Sequence, residues 1–74
     1  MATTVPMLRF NSSQISYIGY DYNSNELYVT FKNTGKTYKY NDVPLKVYEE
    51  LRDQGTSKYF NANIKGKYSF LAID

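Results

Sequence analysis

Two kinds of hydrophobic spacing run along the chain, and one gives way to the other near Asn41. Before that point apolar and polar side chains alternate. Glu26–Lys32 is the clearest case: Leu27, Val29 and Phe31 fall on one side and Tyr28, Thr30 and Lys32 on the other, the spacing of a half-buried antiparallel strand. Over Ile15–Asp21 the same period puts Ser16, Ile18 and Tyr20 on one face, continued by Tyr22, with Gly19 opposite. Between these segments Tyr22-Asn23-Ser24-Asn25 forms a turn, because Asn and Ser bond their own backbone and Asn tolerates positive φ. Asn33-Thr34-Gly35 closes a second hairpin, with Gly35 suited to a left-handed position. Lys36–Tyr40 returns as a third strand that puts Tyr38 and Tyr40 on one face, and Tyr28 on the outer face of its neighbour. Short connections make the three strands an antiparallel meander.

After Asn41 the period becomes helical. Val43-Pro44 opens a helix with Pro44 near its first position, and Asp42 lies where a carboxylate favours the helix start. Val43, Val47, Tyr48 and Leu51 share one stripe, while Lys46, Glu49, Glu50 and Asp53 face water. Gly55 ends this helix, and Thr56 or Ser57 caps a shorter one through about Ile64, with Phe60 and Ile64 apolar and Tyr59 beside them. Gly66 terminates it. Lys67–Leu71 alternates again and is expected to lie back across the core. The architecture expected is α+β: a three-stranded antiparallel meander followed by one longer and one short helix, both packed on one face. Residues 1–11 read either as a tail or, through Leu8, Arg9 and Phe10, as a short edge strand, leaving 12–74 as a single domain.

Size limits what that domain can be. A chain of 74 residues buries only about 60% of its unfolded surface, enough for one modest core. With no cysteine, no disulfide staples the core and no thiolate serves as nucleophile or zinc ligand. The absence of histidine removes the commonest general base and metal ligand. Nine tyrosines and four phenylalanines supply much of the core instead. A net charge of +2 permits an anionic partner without demanding one. The opening Met1-Ala2-Thr3-Thr4-Val5-Pro6-Met7 has neither a basic start nor a signal-length apolar run, and nothing approaches a membrane span, so a cytoplasmic location without membrane contact is expected. The glycosylation pattern Asn11-Ser12-Ser13 then reads as a polar turn.

Chemical motifs are few. Gly35-Lys36-Thr37 resembles the end of a phosphate loop, but Thr30 occupies the required first glycine and a strand follows where a helix is needed. Gly66-Lys67 fails because Tyr68 follows. Glu49 and Glu50 diverge by about 100° on a helix and cannot act as a facing pair. Asp21, Asp42 and Asp53 show no calcium-loop spacing. Neither an enzyme nor a metal or cofactor site is expected. The stronger candidate is a basic cluster: Arg52, Lys58, Lys65 and Lys67 bring together four of the nine basic residues, with Tyr59, Asn61 and Asn63 among them. Such interleaving suits phosphate contacts with a base or two stacked. It also suits a solvated helix face balanced by Glu49, Glu50 and Asp53. Lys32, Lys36 and Lys39 lie close enough in their hairpin to assist. Tyr38 and Tyr40 are expected in the core or against the helices; Tyr28 has the better claim to exposure, although a ring on that outer face more often packs across strands than serves as a binding platform.

Six short motifs in order carry a family resemblance. Ser12-Ser13-Gln14-Ile15, Ile18-Gly19-Tyr20-Asp21, Leu27-Tyr28-Val29-Thr30-Phe31-Lys32, Tyr38-Lys39-Tyr40, Val43-Pro44 with Val47-Tyr48, and Ser57-Lys58-Tyr59-Phe60-Asn61 before Ile64 resemble the KTSC domain over about residues 12–70. That family is named for a module at the C-terminus of some lysyl-tRNA synthetases and includes standalone bacterial and phage proteins. Its central Tyr-x-Tyr maps onto Tyr38 and Tyr40. Lys58 departs from it, standing where the family often shows glycine, so a close backbone approach to a ligand is not carried over there. The resemblance implies no activity, and points to RNA only through the synthetase fusion, an argument from association. Two functions are therefore expected of the surface. One is binding of RNA or single-stranded nucleic acid through Lys39, Arg52, Lys58, Tyr59, Asn61, Lys65 and Lys67. The other is docking on a host or bacterial protein, motivated by the tyrosine excess.

Overall fold

The computed structural model describes residues 7–10, 12–55 and 57–73. Strands β1 (Met7–Arg9), β2 (Ile15–Asp21), β3 (Glu26–Phe31) and β4 (Thr37–Tyr40) are followed by helices α1 (Leu45–Gln54) and α2 (Ser57–Asn63) and a last strand β5 (Phe70–Ala72). The sheet is antiparallel throughout, in the order β1-β2-β3-β4-β5. The expected meander is thus its centre, and one short strand extends it at each edge. At the N-terminal side the alternation of Leu8 and Arg9 does make an edge strand, shifted to begin at Met7, while residues 1–6 lie outside the described residues. At the C-terminal side the segment expected to lie across the core packs on it through Tyr68, while β5 pairs in register with β4 and leaves Phe70, Leu71 and Ile73 exposed.

Register separates the two faces. Leu8, Ile18, Val29, Tyr38 and Ala72 form one cross-strand row, and Tyr20, Leu27, Tyr40 and Phe70 the next, both on the helix side. Met7, Gly19, Tyr28, Lys39 and Leu71 make a row on the other side. The core joins Ile15, Ile18, Tyr20, Leu27, Val29 and Tyr40 from the sheet to Val43, Tyr48, Leu51, Phe60 and Ile64 from the helical segment. Tyr20 is its hinge: the ring stacks on Tyr48 at 5.1 Å, and the hydroxyl donates to the Val43 carbonyl and the Asn25 side chain.

Local physics corrects four readings. Strict alternation puts Ser16 in the core and Ile15 outside it. A bulge reverses this, since Ile15 pairs with Phe31 and Tyr17 with Thr30, leaving Ser16 as the extra residue. Ile15 is consequently fully buried, and Ser16 turns its hydroxyl to the Thr30 carbonyl. Tyr28, expected to be exposed, is only 6% accessible: its ring lies in the row beside Gly19, where no side chain competes for the space. Pro44 stands before the first helical residue, in extended conformation, so α1 begins one position later than its fixed φ suggests. Ser57 lies inside α2, its hydroxyl 3.4 Å from that of Ser13, and α2 stops at Asn63; Thr56 lies outside the described residues. Gly55, at φ 67°, ends α1 by returning its N–H to the Leu51 carbonyl.

Candidate functional site

The β3–β4 hairpin ends in Asn33-Thr34-Gly35, where Gly35 at φ 70° lets its N–H reach the Phe31 carbonyl. Beyond this tip the sheet is not sealed by the helices. A cleft of about 390 Å³ opens between the hairpin, the end of α2 and β5, a volume near the lower end of the range for small-ligand sites. Phe31, Tyr38 and Tyr40 form its base because alternation sends all three to the helix face. Phe60 and Phe70 close it from α2 and β5. The five rings interlock, with Phe31–Tyr38, Tyr38–Phe70, Tyr40–Phe60 and Tyr40–Phe70 centroids 5.5–5.6 Å apart.

The rim is polar and free of carboxylates: Gln14, Asn33, Thr34, Asn61 and Lys65. Asn61 donates its amide to the Gln14 side-chain carbonyl at 3.2 Å, a bond that leaves out the Gln14 amide N–H groups and the Asn61 carbonyl. Burial, then the neighbouring Tyr38, raises the Tyr40 phenol above its ordinary range, so it stays neutral. An aromatic hollow edged by amides and one ammonium suits a planar, anionic ligand.

Carboxylates gather at one end of the sheet, where Lys39 also pairs with Glu26. Asp21 and Glu26 face each other at the β2–β3 turn, and Asp42 lies nearby, since the Val43 N–H bonds the Asn25 carbonyl. At the opposite end Arg9 stands opposite Tyr17, the Lys32 N–H bonds the Gln14 carbonyl, and the Phe31 N–H bonds the Lys36 carbonyl. The cleft opens at this cationic end.

The candidate residues named from sequence therefore scatter. Asn61 and Lys65 meet at the cleft, with the family pair Tyr38 and Tyr40 beneath them. Lys58 and Lys67 are exposed but do not line it. Tyr59 is drawn toward the other helix, where its hydroxyl donates to Glu50; burial and that carboxylate push its phenol up to about 12. Lys39 lies on the far face of the sheet, paired with Glu26 at 3.2 Å. Arg52 sits over the Tyr48 ring at 5.7 Å and beside Asp53, away from the cleft. Sequence reasoning missed Gln14, Asn33, Phe60 and Phe70 as residues that line the cleft, and only Asn33, in its turn, carries any signal. Among the described residues no cluster of His, Cys, Asp and Glu could hold a metal, and no helix is long and apolar enough to cross a membrane.

An open five-stranded meander with two helices on one face and an aromatic cleft at one end defines a small α+β domain rather than a closed barrel or bundle. The KTSC domain model matches residues 11–68, and the chain belongs to that family. Its structure is similar to the crystal structure of a KTSC domain protein from Yersinia pestis, with a TM-score of 0.90 and 29% sequence identity, covering 96% of this chain and 100% of that one. Among curated proteins there is no match.

Proposed function

We propose that this chain is a small non-enzymatic module that binds single-stranded nucleic acid, RNA in particular, at the cationic end of its sheet. The observation that carries the reading is the cleft: five aromatic rings, an amide pair and Lys65 in one acid-free hollow. An unpaired base stacks on the exposed ring surface, its edge meets the Gln14 and Asn61 amides, and its phosphate lies toward Lys65, with Lys67 and Lys58 contributing nearby charge. A base buried in a duplex could not enter. With few cations, affinity is expected in the range of roughly 10⁻⁴–10⁻⁶ M and to fall as salt rises. A fluorescently labelled single-stranded RNA titrated at two salt concentrations tests this, with Lys65→Glu/Lys67→Glu expected to abolish binding. No binding at low salt, or binding indifferent to salt, rejects it.

A second reading rests on β5. Its outer edge is unpaired among the described strands, and Phe70 and Leu71 are each 56% accessible, with no charged residue from 70 to 73. Such an edge can accept an extended segment of a bacterial or host protein. A partner retained after nuclease treatment and lost in Leu71→Lys would favour it over nucleic acid.

A further inference from the structure

Alternation places Phe31 and Lys32 on opposite faces, and each opens into a different hollow. Phe31 lines the aromatic cleft, whereas Lys32 lines a second cleft of about 410 Å³ with Arg9, Phe10, Ser16 and Tyr17. This second hollow lies on the face that no helix covers. The β2 bulge creates it: the extra residue swings Ser16 out of the core row, and Arg9 pairs with Tyr17 directly across the β1–β2 ladder. The lining holds two cations and no carboxylate, and among the described residues neither Arg9 nor Lys32 forms an ion pair. The Tyr17 ring, 40% accessible, stands beside them.

The two hollows are neighbours through the backbone. Lys32 donates its N–H to the Gln14 carbonyl at 2.8 Å, and Gln14 edges the aromatic cleft. Only the strand ends separate them. We propose that Arg9 and Lys32 form a phosphodiester site, so that a single strand with one base in the aromatic cleft turns round the end of the sheet and seats a later phosphate on the far face, its base against Tyr17. The guanidinium grips two phosphate oxygens and the ammonium neutralises the same group. This rests on the nucleic-acid reading and gives it a path and a minimum length.

Single-stranded oligouridylates of three and nine nucleotides, titrated into the full chain over a range of salt, test the path. The nonamer should bind wild type more tightly than the trimer by more than the number of registers explains. Arg9→Ala/Lys32→Ala should remove that excess and lower the nonamer salt slope by roughly 0.7 for each phosphate that is no longer neutralised. Trimer binding should be unchanged, and Arg9→Lys/Lys32→Arg should retain the excess. Both positions are exposed, so the fold should tolerate these changes. Undiminished nonamer binding by the alanine pair overturns the second site and leaves the aromatic cleft standing. Trimer binding that fails while the nonamer still depends on Arg9 and Lys32 faults the cleft instead. No binding of either strand overturns both.

Discussion

Tyr38 offers the cleanest separation of binding from folding. Its ring is half-buried, lines the aromatic cleft and touches two neighbours, Phe31 edge-on and Phe70 at a tilt. Half the burial of a large apolar side chain plus two aromatic pairs amounts to about 2–4 kcal/mol of stability. A domain of 74 residues has about 4–11 kcal/mol to lose, so Tyr38→Ala comes close to the margin. Tyr38→Leu keeps most of the volume and removes the π face, which makes it the decisive variant. If a base stacks there, loss of the ring costs binding about 1–3 kcal/mol, or roughly 5- to 150-fold in Kd. Tyr38→Phe keeps the ring and should bind within a few-fold of wild type. Urea melts give the folded fraction of each variant, and fluorescence anisotropy with labelled RNA at low salt gives its Kd. A folded Tyr38→Leu protein that binds RNA like wild type would refute the stacking argument.

Two further outcomes are expected of the tyrosines. Tyr20→Phe leaves the buried ring on Tyr48 but deprives the Val43 carbonyl of its donor, at a cost of about 1–3 kcal/mol that a urea melt should show as a lower midpoint with unchanged slope. The second concerns alkaline pH. Burial leads the causes that raise the phenols of Tyr20, Tyr28, Tyr40, Tyr48 and Tyr59, the last to about 12. The unfolded chain ionises these groups near 10 while the folded one keeps them neutral, so it is the unfolded state that loses protons first. Stability should be level below pH 10 and fall steeply as pH rises toward 12; thermal melts that do not drop across that interval would contradict the burial of these rings.

Much of this fold is written in local spacing. The three central strands, the buried Tyr48 and Leu51 of α1 with Val43 just before it, and the left-handed Gly35 and Gly55 follow from periods and turn chemistry acting over a few residues. What spacing does not show is anything that depends on a partner far away in sequence. The bulge at Ser16 exists because Ile15 must reach the core beside Phe31, a demand that no run of seven residues displays. β5 is three residues long and becomes a strand only because β4 offers it an open edge. The site follows the same rule. Gln14 and Asn61 stand 47 positions apart and look like turn and helix-surface residues until the fold joins them. Chain order alone groups Arg52 with Lys65, yet α1 carries Arg52 to Tyr48, whose ring rests on Tyr20.

The tyrosine excess then separates into distinct duties. Tyr20 and Tyr48 stack inside the core, Tyr28 covers the bare face beside Gly19, and Tyr59 ties α2 to α1 through Glu50. Tyr40 belongs to the core and the cleft at once, as do Phe31 and Phe60. That overlap constrains what mutation can reveal. Removing Phe60, which is 1% accessible and touches both Phe31 and Tyr40, would lower affinity through unfolding whether or not a base ever enters the cleft. The groups whose loss reports on binding are those the core does not need. These are the Tyr38 π face, the Asn61 amide and the Lys65 ammonium at the cleft, with Arg9 and Lys32 on the far face. They come from three stretches of chain, Arg9, the hairpin over 32–38 and the segment over 61–65, and line two neighbouring clefts that hold no carboxylate.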